Sequence, residues 1–222
     1  MIRNRLSELL SERGLKTSRV AKEVSIARSS LTSMIQNDSE MVRYDAIDKL
    51  CNYLNVSPED FFEHIPLNFD FSFDEEPRVY ITKRKKTPTN FDFNEMLGLE
   101  YFEFEMLVDV KTPRNDKINF DLELKCIGAA RDNHLRQQLV FNISNEEENA
   151  ALKKYVDELT PGLRNVLFKK ITKQLNDYVL PIVKNNVEDY SVTYVDSNTE
   201  KTLHNEILQS QVYLVSDIFR EY

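Results

Sequence analysis

Glycine is scarce in this chain, with four residues in 222 (Gly14, Gly98, Gly128 and Gly162), so no glycine-rich loop is available to cradle a phosphate. Cysteine is scarcer. Cys51 and Cys126 stand far apart, each inside an apolar pattern, which predicts two buried thiols rather than a disulfide or a metal pair. The three histidines, His64, His134 and His204, are isolated from one another, and neither His-Glu-x-x-His nor Cys-x-x-Cys occurs. No metal site and no cofactor are therefore expected. Carboxylates are plentiful but fall mostly at alternating polar positions, and nothing singles out a catalytic pair. The expectation is a protein with no catalytic residue and no enzymatic activity. Long apolar runs are missing too, which excludes a signal peptide or membrane span within the sequence and predicts a cytoplasmic protein with no membrane partner.

What is present is enough apolar character, 41% of residues, to bury a core, together with an uneven charge. The net charge is -8. Residues 1–43 hold eight Lys or Arg against five Asp or Glu, giving +3, whereas residues 44–66 hold one against five, giving -4. Residues 67–222 hold 20 against 27, giving -7. A phosphate-facing surface, if the chain has one, belongs in the first 43 residues.

There the apolar spacing is helical. Ile2, Leu6, Leu9 and Leu10 ending at Gly14 predict a first helix over 2–13, and Val20, Ala21 and Val24 predict a short second one. In Ala27 to Gln36, Leu31, Met34 and Ile35 face inward while Arg28, Ser29, Ser30, Thr32 and Ser33 do not, and Asn37 is placed to cap the end in the left-handed conformation. Ile47, Leu50, Cys51 and Leu54 form the seam of a fourth helix, and Ser57-Pro58-Glu59-Asp60 opens a fifth containing Phe61 and Phe62.

Five short helices in about 60 residues, two of them joined by a tight turn, is a helix-turn-helix layout. The run Leu15 to Asn37, followed by Tyr44-Asp45-Ala46-Ile47-Asp48-Lys49-Leu50-Cys51-Asn52-Tyr53-Leu54-Asn55-Val56-Ser57-Pro58-Glu59-Asp60-Phe61-Phe62, resembles the Cro and xenobiotic-response-element family of phage-type repressors over roughly a third of the chain. The resemblance implies that helix three enters the major groove of double-stranded DNA. It places Thr17 against phosphate and Arg28, Ser29, Ser30, Thr32 and Ser33 against base edges. Small hydroxyl side chains permit close approach to a groove floor, and one arginine can pair with guanine in bidentate fashion. Three positions depart from the family pattern: Ser25 in place of the turn glycine, Ala27 in place of a hydroxyl cap, and Lys16 where a cap before helix two is usual. Self-cleaving relatives carry a Ser and Lys pair on a glycine-rich β fold, which the three glycines of the second half do not support.

From Asn68 the pattern becomes phenylalanine-rich, with Asn68-Phe69-Asp70-Phe71 echoed at Asn90-Phe91-Asp92-Phe93 and a linker or turn at Asp74-Glu75-Glu76-Pro77. Arg78 to Thr82 can be a strand, and Lys83-Arg84-Lys85-Lys86 reads as a solvated loop. Phe102, Phe104, Met106, Val108 and Val110, then Ile118, Phe120, Leu122, Leu124 and Cys126, alternate with mostly polar neighbours and predict an antiparallel hairpin, extended by Leu139, Phe141 and Ile143. Ser144 and Glu147 suggest a capping box for a helix bearing Leu152, Tyr155, Val156 and Leu159. Thr160-Pro161 opens a second helix of about 20 residues that Pro181 should stop. Residues 190–195 read as a strand and 201–222 as an ambiguous closing helix.

The expected architecture is thus multidomain: an all-α five-helix helix-turn-helix bundle over residues 1–66, a linker and first strand region over 67–99, and over 100–222 an α+β domain with an antiparallel meander packed against helices. The expected function is a sequence-specific, DNA-binding transcriptional regulator, a phage or mobile-element repressor that binds an inverted-repeat operator as a homodimer. The alternative is a mobile-element inhibitor of a host defence protein, anti-CRISPR-like, in which the acidic C-terminal domain meets a host partner and the N-terminal domain regulates its own gene.

Overall fold

In the computed structural model the described residues are 1–39, 41–82, 93, 97–131, 137–189, 191–194 and 199–220, and they divide into two compact units, Met1–Pro66 and Leu67–Tyr222. The expected basic loop at Lys83–Lys86, His134, and most of the second phenylalanine echo lie outside the described residues. Among the described residues no helix is long and apolar enough to cross a membrane.

The first unit packs α1 (Leu6–Glu12), α2 (Thr17–Glu23), α3 (Arg28–Gln36), α4 (Tyr44–Leu54) and α5 (Pro58–Phe61) around Leu6, Leu9, Val20, Leu31, Leu50 and Phe61. It is not all-helical. Ile2–Asn4, expected in the first helix, is a strand (β1) pairing antiparallel with Phe62–His64 (β2). Three residues cannot complete a stable turn by themselves. Pairing gives them backbone partners and lets the Arg3 guanidinium bond Glu63 across the ladder.

One device recurs at the ends of α1 to α4. Gly14, Ser25, Asn37 and Asn55 all take positive φ, between 52° and 60°. After each, the next N–H reaches the carbonyl five residues back: Leu15 to Leu10, Ile26 to Ala21, Asp38 to Ser33 and Val56 to Cys51. These are Schellman ends, which satisfy carbonyls the helix leaves bare. Leu15, Ile26 and Val56 also fold back onto the apolar core.

The second unit is built on a mixed six-stranded sheet. β3 (Asn68–Phe73) and β4 (Arg78–Ile81) lie end to end along β5 (Leu99–Lys111), which is followed by β6 (Lys117–Arg131) and β7 (Gln137–Ile143). The stretch expected to be linker and first strand therefore supplies two strands of this sheet. The hairpin turns at Thr112–Asp116 with Asn115 at φ 64°, a left-handed position asparagine tolerates. Phe102, Phe104, Met106, Phe120, Leu122, Leu124 and Phe141 are buried on one face. That face meets α6 (Glu146–Val156) and α7 (Pro161–Asn186) through ring contacts such as Phe120 with Tyr155 and Phe104 with Tyr178.

Three expectations need correction here. Ser144 does not cap α6: Asn145 holds the cap position without a side-chain bond, and the Ser144 hydroxyl donates instead to Glu123 beside the sheet. Pro181 does not stop α7, which runs 26 residues and buries Leu180 and Val183 beyond it. Proline removes one hydrogen bond to the carbonyl of Asp177, and both residues are exposed, so water can replace it. Residues 201–222 are not one helix. After the small hairpin β8 (Ser191–Tyr194) and β9 (Thr199–Thr202), α8 covers only Leu203–Gln209, and Gln211–Val215 forms β10, parallel to β7 at the sheet edge. Asn176 on α7 holds that edge, its Oδ1 accepting the Val212 N–H at 2.7 Å.

Candidate nucleic-acid interface

The first unit presents α3 from a turn that its sequence makes without glycine. Ser25 adopts φ +54°, a conformation that costs a side-chain-bearing residue roughly 1 kcal/mol. The Schellman bond from the Ile26 N–H and the burial of Ile26 hold it there. Ala27 at the start of α3 and Lys16 at the start of α2 make no side-chain cap, so the departures read in the sequence leave both helices with uncapped first turns. In α3 the first N–H bonded within the helix is that of Leu31 to the Ala27 carbonyl. The N–H groups of Arg28, Ser29 and Ser30 are the ones an α-helix leaves without an internal partner, and the helix dipole is positive at that end.

The six predicted site residues do not share one environment. Arg28, Ser29 and Ser30 are exposed, whereas Thr17, Thr32 and Ser33 are half-buried. Leu31 and Met34 turn the opposite side of α3 into the core. The Thr32 hydroxyl donates to the Arg28 carbonyl at 2.9 Å, so its hydrogen is committed to its own helix and the oxygen remains as an acceptor. Ser30 and Ser33, with Met41, Arg43 and Lys49, line a cavity of about 450 Å³ between α3 and the start of α4. Thr17, at the first turn of α2, is not part of that lining.

Cations around α3 differ in availability. Arg19 bonds Glu23 at 2.7 Å one turn on, and Arg43 bonds Asp45 at 2.9 Å. The Arg19 guanidinium, and then the Tyr53 hydroxyl, hold the Glu23 carboxyl below its usual range. Among the described residues no ion pair engages Arg28 or Lys49. The cations of this surface that no ion pair engages thus lie on α3's first turn and on α4.

Two features of the site were not found from sequence. The first is the flank itself, where Met41 and Tyr44 are 90% and 91% exposed beside Arg43. The Met-Val-Arg-Tyr order before an amphipathic helix was its only signal. The second is a brace behind α3. The Asn4 N–H donates to Asn37 Oδ1 at 2.8 Å and Asn37 Nδ2 returns a bond to the Asn4 carbonyl at 3.1 Å. Asn4 Nδ2 adds a bond to the Met34 carbonyl at 2.7 Å, and Asn4 is 5% exposed. The end of α3 is therefore tied to β1 through three hydrogen bonds, one of them buried. Asparagine between polar neighbours in a short segment carries no periodic signal.

His64 is exposed on β2, and His204 Nε2 lies 2.8 Å from the Val187 carbonyl. Among the described residues no cluster of metal-ligating side chains occurs.

No curated protein and no solved structure matches the chain. Residues 5–66, which carry α1 to α5 and the exposed first turn of α3, match the Cro/C1-type HTH DNA-binding domain, which supports a DNA-binding transcription regulator.

Proposed function

We propose that the protein is a sequence-specific transcriptional repressor, of phage or mobile-element type, that binds an inverted-repeat operator as a homodimer through residues 67–222. The observation that carries the reading is the joint exposure of Arg28, Ser29 and Ser30 around the uncapped N-terminal turn of a helix whose other side is core. In this reading Arg28 pairs with a guanine edge, and Ser29, Ser30, Thr32 and Ser33 meet bases or neighbouring phosphates. Thr17 and the first turn of α2 meet the backbone. The acid excess of residues 67–222 keeps that unit away from phosphate and frees it for association. A dimer sets two copies of α3 about 34 Å apart, in successive major grooves.

Titration of operator and scrambled duplexes at fixed salt tests the site. Arg28→Ala is expected to weaken specific binding by about 1 to 3 kcal/mol and to relax one base pair per half-site, with a smaller loss on scrambled DNA. An equal loss on both duplexes would remove Arg28 from base readout. Deleting residues 67–222 tests the division of labour. Loss of operator affinity that an unrelated dimeriser restores supports an association role, by the effective concentration it supplies. Retained affinity with loss of a host-protein contact supports instead the reading of the acidic unit as an inhibitor of a host defence protein.

A further inference from the structure

The mixed sheet has one face against α6 and α7, and among the described residues nothing covers the other. Among the described residues seven large apolar side chains are exposed in the second unit, and six of them, Tyr80, Tyr101, Leu107, Ile127, Tyr213 and Val215, belong to strands. The register brings four of them, Tyr80, Tyr101, Ile127 and Tyr213, into one row, whereas Leu107 lies farther along β5 opposite Ser72 and Asp121. Tyr80 stands opposite Tyr101, and their rings stack at 5.8 Å. Val140 stands opposite both Gly128 and Tyr213. Ile127 fills the bulge between Cys126 and Gly128, continuing the row begun at Tyr101. An apolar stripe therefore crosses β4, β5, β6, β7 and β10 on the side away from the helices. An antiparallel sheet can leave one face to water, but that face then reads polar along each strand. Here it does so away from the stripe, with Leu107 as the exception on β5.

We infer that this open face is the surface through which two copies of the chain associate, an inference that rests on the dimer reading given above. Area and charge both favour a second copy. The five strands, 4 to 15 residues long at about 3.3 Å rise and about 4.8 Å apart, together span roughly 700 Å², near the ~800 Å² per partner that stable association uses. The stripe, toward one end of that face on β5, supplies its apolar anchors. On one side of the stripe, Glu103 is neutralised by Arg78 at 3.0 Å and Lys125 at 3.8 Å. Farther along the same side, Glu105 stands opposite Glu123, and Asp121 follows opposite Leu107. A two-fold axis running along the stripe keeps these acidic ends of the two copies apart, while an axis along the strands would stack them on each other. Charge thus selects one of the two symmetric ways of pressing the faces together. A nucleic-acid strand laid over the tyrosines would meet the same carboxylates with no such escape.

Sedimentation equilibrium and light scattering on the full chain test the inference, with Tyr101→Lys and Ile127→Lys at the stripe and Leu208→Lys, an exposed position of α8, as control. Tyr101 and Ile127 are about half exposed, so both variants should keep their far-ultraviolet dichroism and melting temperature. Tyr213→Lys provides a third position, on the edge strand, if either fails to fold. The expected result is a dimeric wild type and control, and stripe variants whose dissociation constant rises by about 30-fold or more. Folded stripe variants that stay as dimeric as wild type would overturn this face while leaving the dimer reading intact. A wild type that remains monomeric at about 100 μM would overturn both, since weaker association lies outside the range of specific dimers. Quenching of tyrosine fluorescence by single-stranded oligonucleotide, lost in the stripe variants, would reassign the face to nucleic acid and overturn the inference.

Discussion

In residues 1–66 four successive helices close on a left-handed residue and a Schellman bond, whereas the described helices of residues 67–222 end on extended or right-handed residues. The ends of the first unit's helices are thus set by signals that act within six residues of each other, and its long-range backbone pairing is confined to the short β1 and β2 ladder. The second depends on partners far away in the chain: β10 pairs with β7 some 70 residues earlier, and Tyr178 on α7 donates to the Asp74 carbonyl at 2.8 Å. The difference explains why the first unit can present one exposed helix turn so definitely. Its loops are fixed by backbone geometry, and the recognition helix needs only the Asn4 and Asn37 brace from elsewhere. The second unit gains breadth instead, a sheet wide enough to offer a surface.

The sharpest way to separate the units is to damage the core of one. Phe141 is fully buried and packs edge-on against Phe102 and Phe104 at 5.4 Å each. Phe141→Ala is expected to cost about 3 to 5 kcal/mol through lost burial and the cavity left behind. Calorimetry should show the transition of the second unit falling by ten degrees or more while the helical unit keeps its own. A single shared transition that shifts as a whole would mean the two units do not unfold separately.

A smaller effect is expected from the brace. Asn4→Ala removes the bond to the Met34 carbonyl and the acceptor for the Leu6 N–H, at 2.7 and 3.1 Å, inside a buried setting. The expected loss is about 1 to 3 kcal/mol in the first unit. Operator affinity should fall by more than the unfolded fraction accounts for, because α3 loses one of the three bonds that tie its end to β1, the two between the Asn4 backbone and Asn37 remaining. Unchanged affinity in the folded variant would make the brace purely structural.

The sequence disclosed these units unequally, for physical reasons. Period-3.6 spacing placed Leu31 and Met34 inward, and Asn37 was readable as a left-handed cap because asparagine tolerates that conformation. Strand alternation identified the inward Phe102, Phe104 and Met106. By contrast, β1 is three residues long with two polar members, too short for any period, and it exists only because β2 lies beside it. Gln211 to Val215 alternates well enough for a strand, but its neighbours Leu203 to Gln209 are helical and blurred the period. Pro181 misled because the cost of a proline depends on whether the orphaned carbonyl is wet, which sequence does not state. Of the candidate site, α3's exposed turn was legible, while the cavity with Arg43 and Lys49 was not, since it forms between two helices.

Alkaline pH offers a milder probe of the second unit. Burial, and then the Asp74 carboxylate, push the Tyr178 hydroxyl up to about 12 from an ordinary value of 10.0. A group whose pKa is higher in the folded state holds its proton more tightly there. Its contribution is fully present below about pH 10 and is lost as pH rises toward 12. Melting temperatures of the second unit should therefore decline across that window in the wild type and decline less in Tyr178→Phe. Parallel curves would mean that other groups dominate the alkaline loss.

The smallest effect expected sits in the turn before the recognition helix. Ser25 holds φ +54° without the freedom of glycine, yet its backbone already makes both Schellman bonds, from Ser25 to Lys22 at 3.4 Å and from Ile26 to Ala21 at 3.0 Å. Ser25→Gly removes the strain of a side chain in the left-handed region, and the looser unfolded chain returns part of the gain. The net expectation is about 0.5 to 1 kcal/mol of added stability in the first unit alone, read as a rise of a few degrees in its transition. The side chain is exposed and lines the cavity beside α3, so DNA affinity separates two roles for it. A more stable variant with unchanged operator affinity means that Ser25 is a tolerated departure from the family's glycine and nothing more. A more stable variant that binds less tightly means that the hydroxyl meets phosphate, and that the strain is kept for the contact.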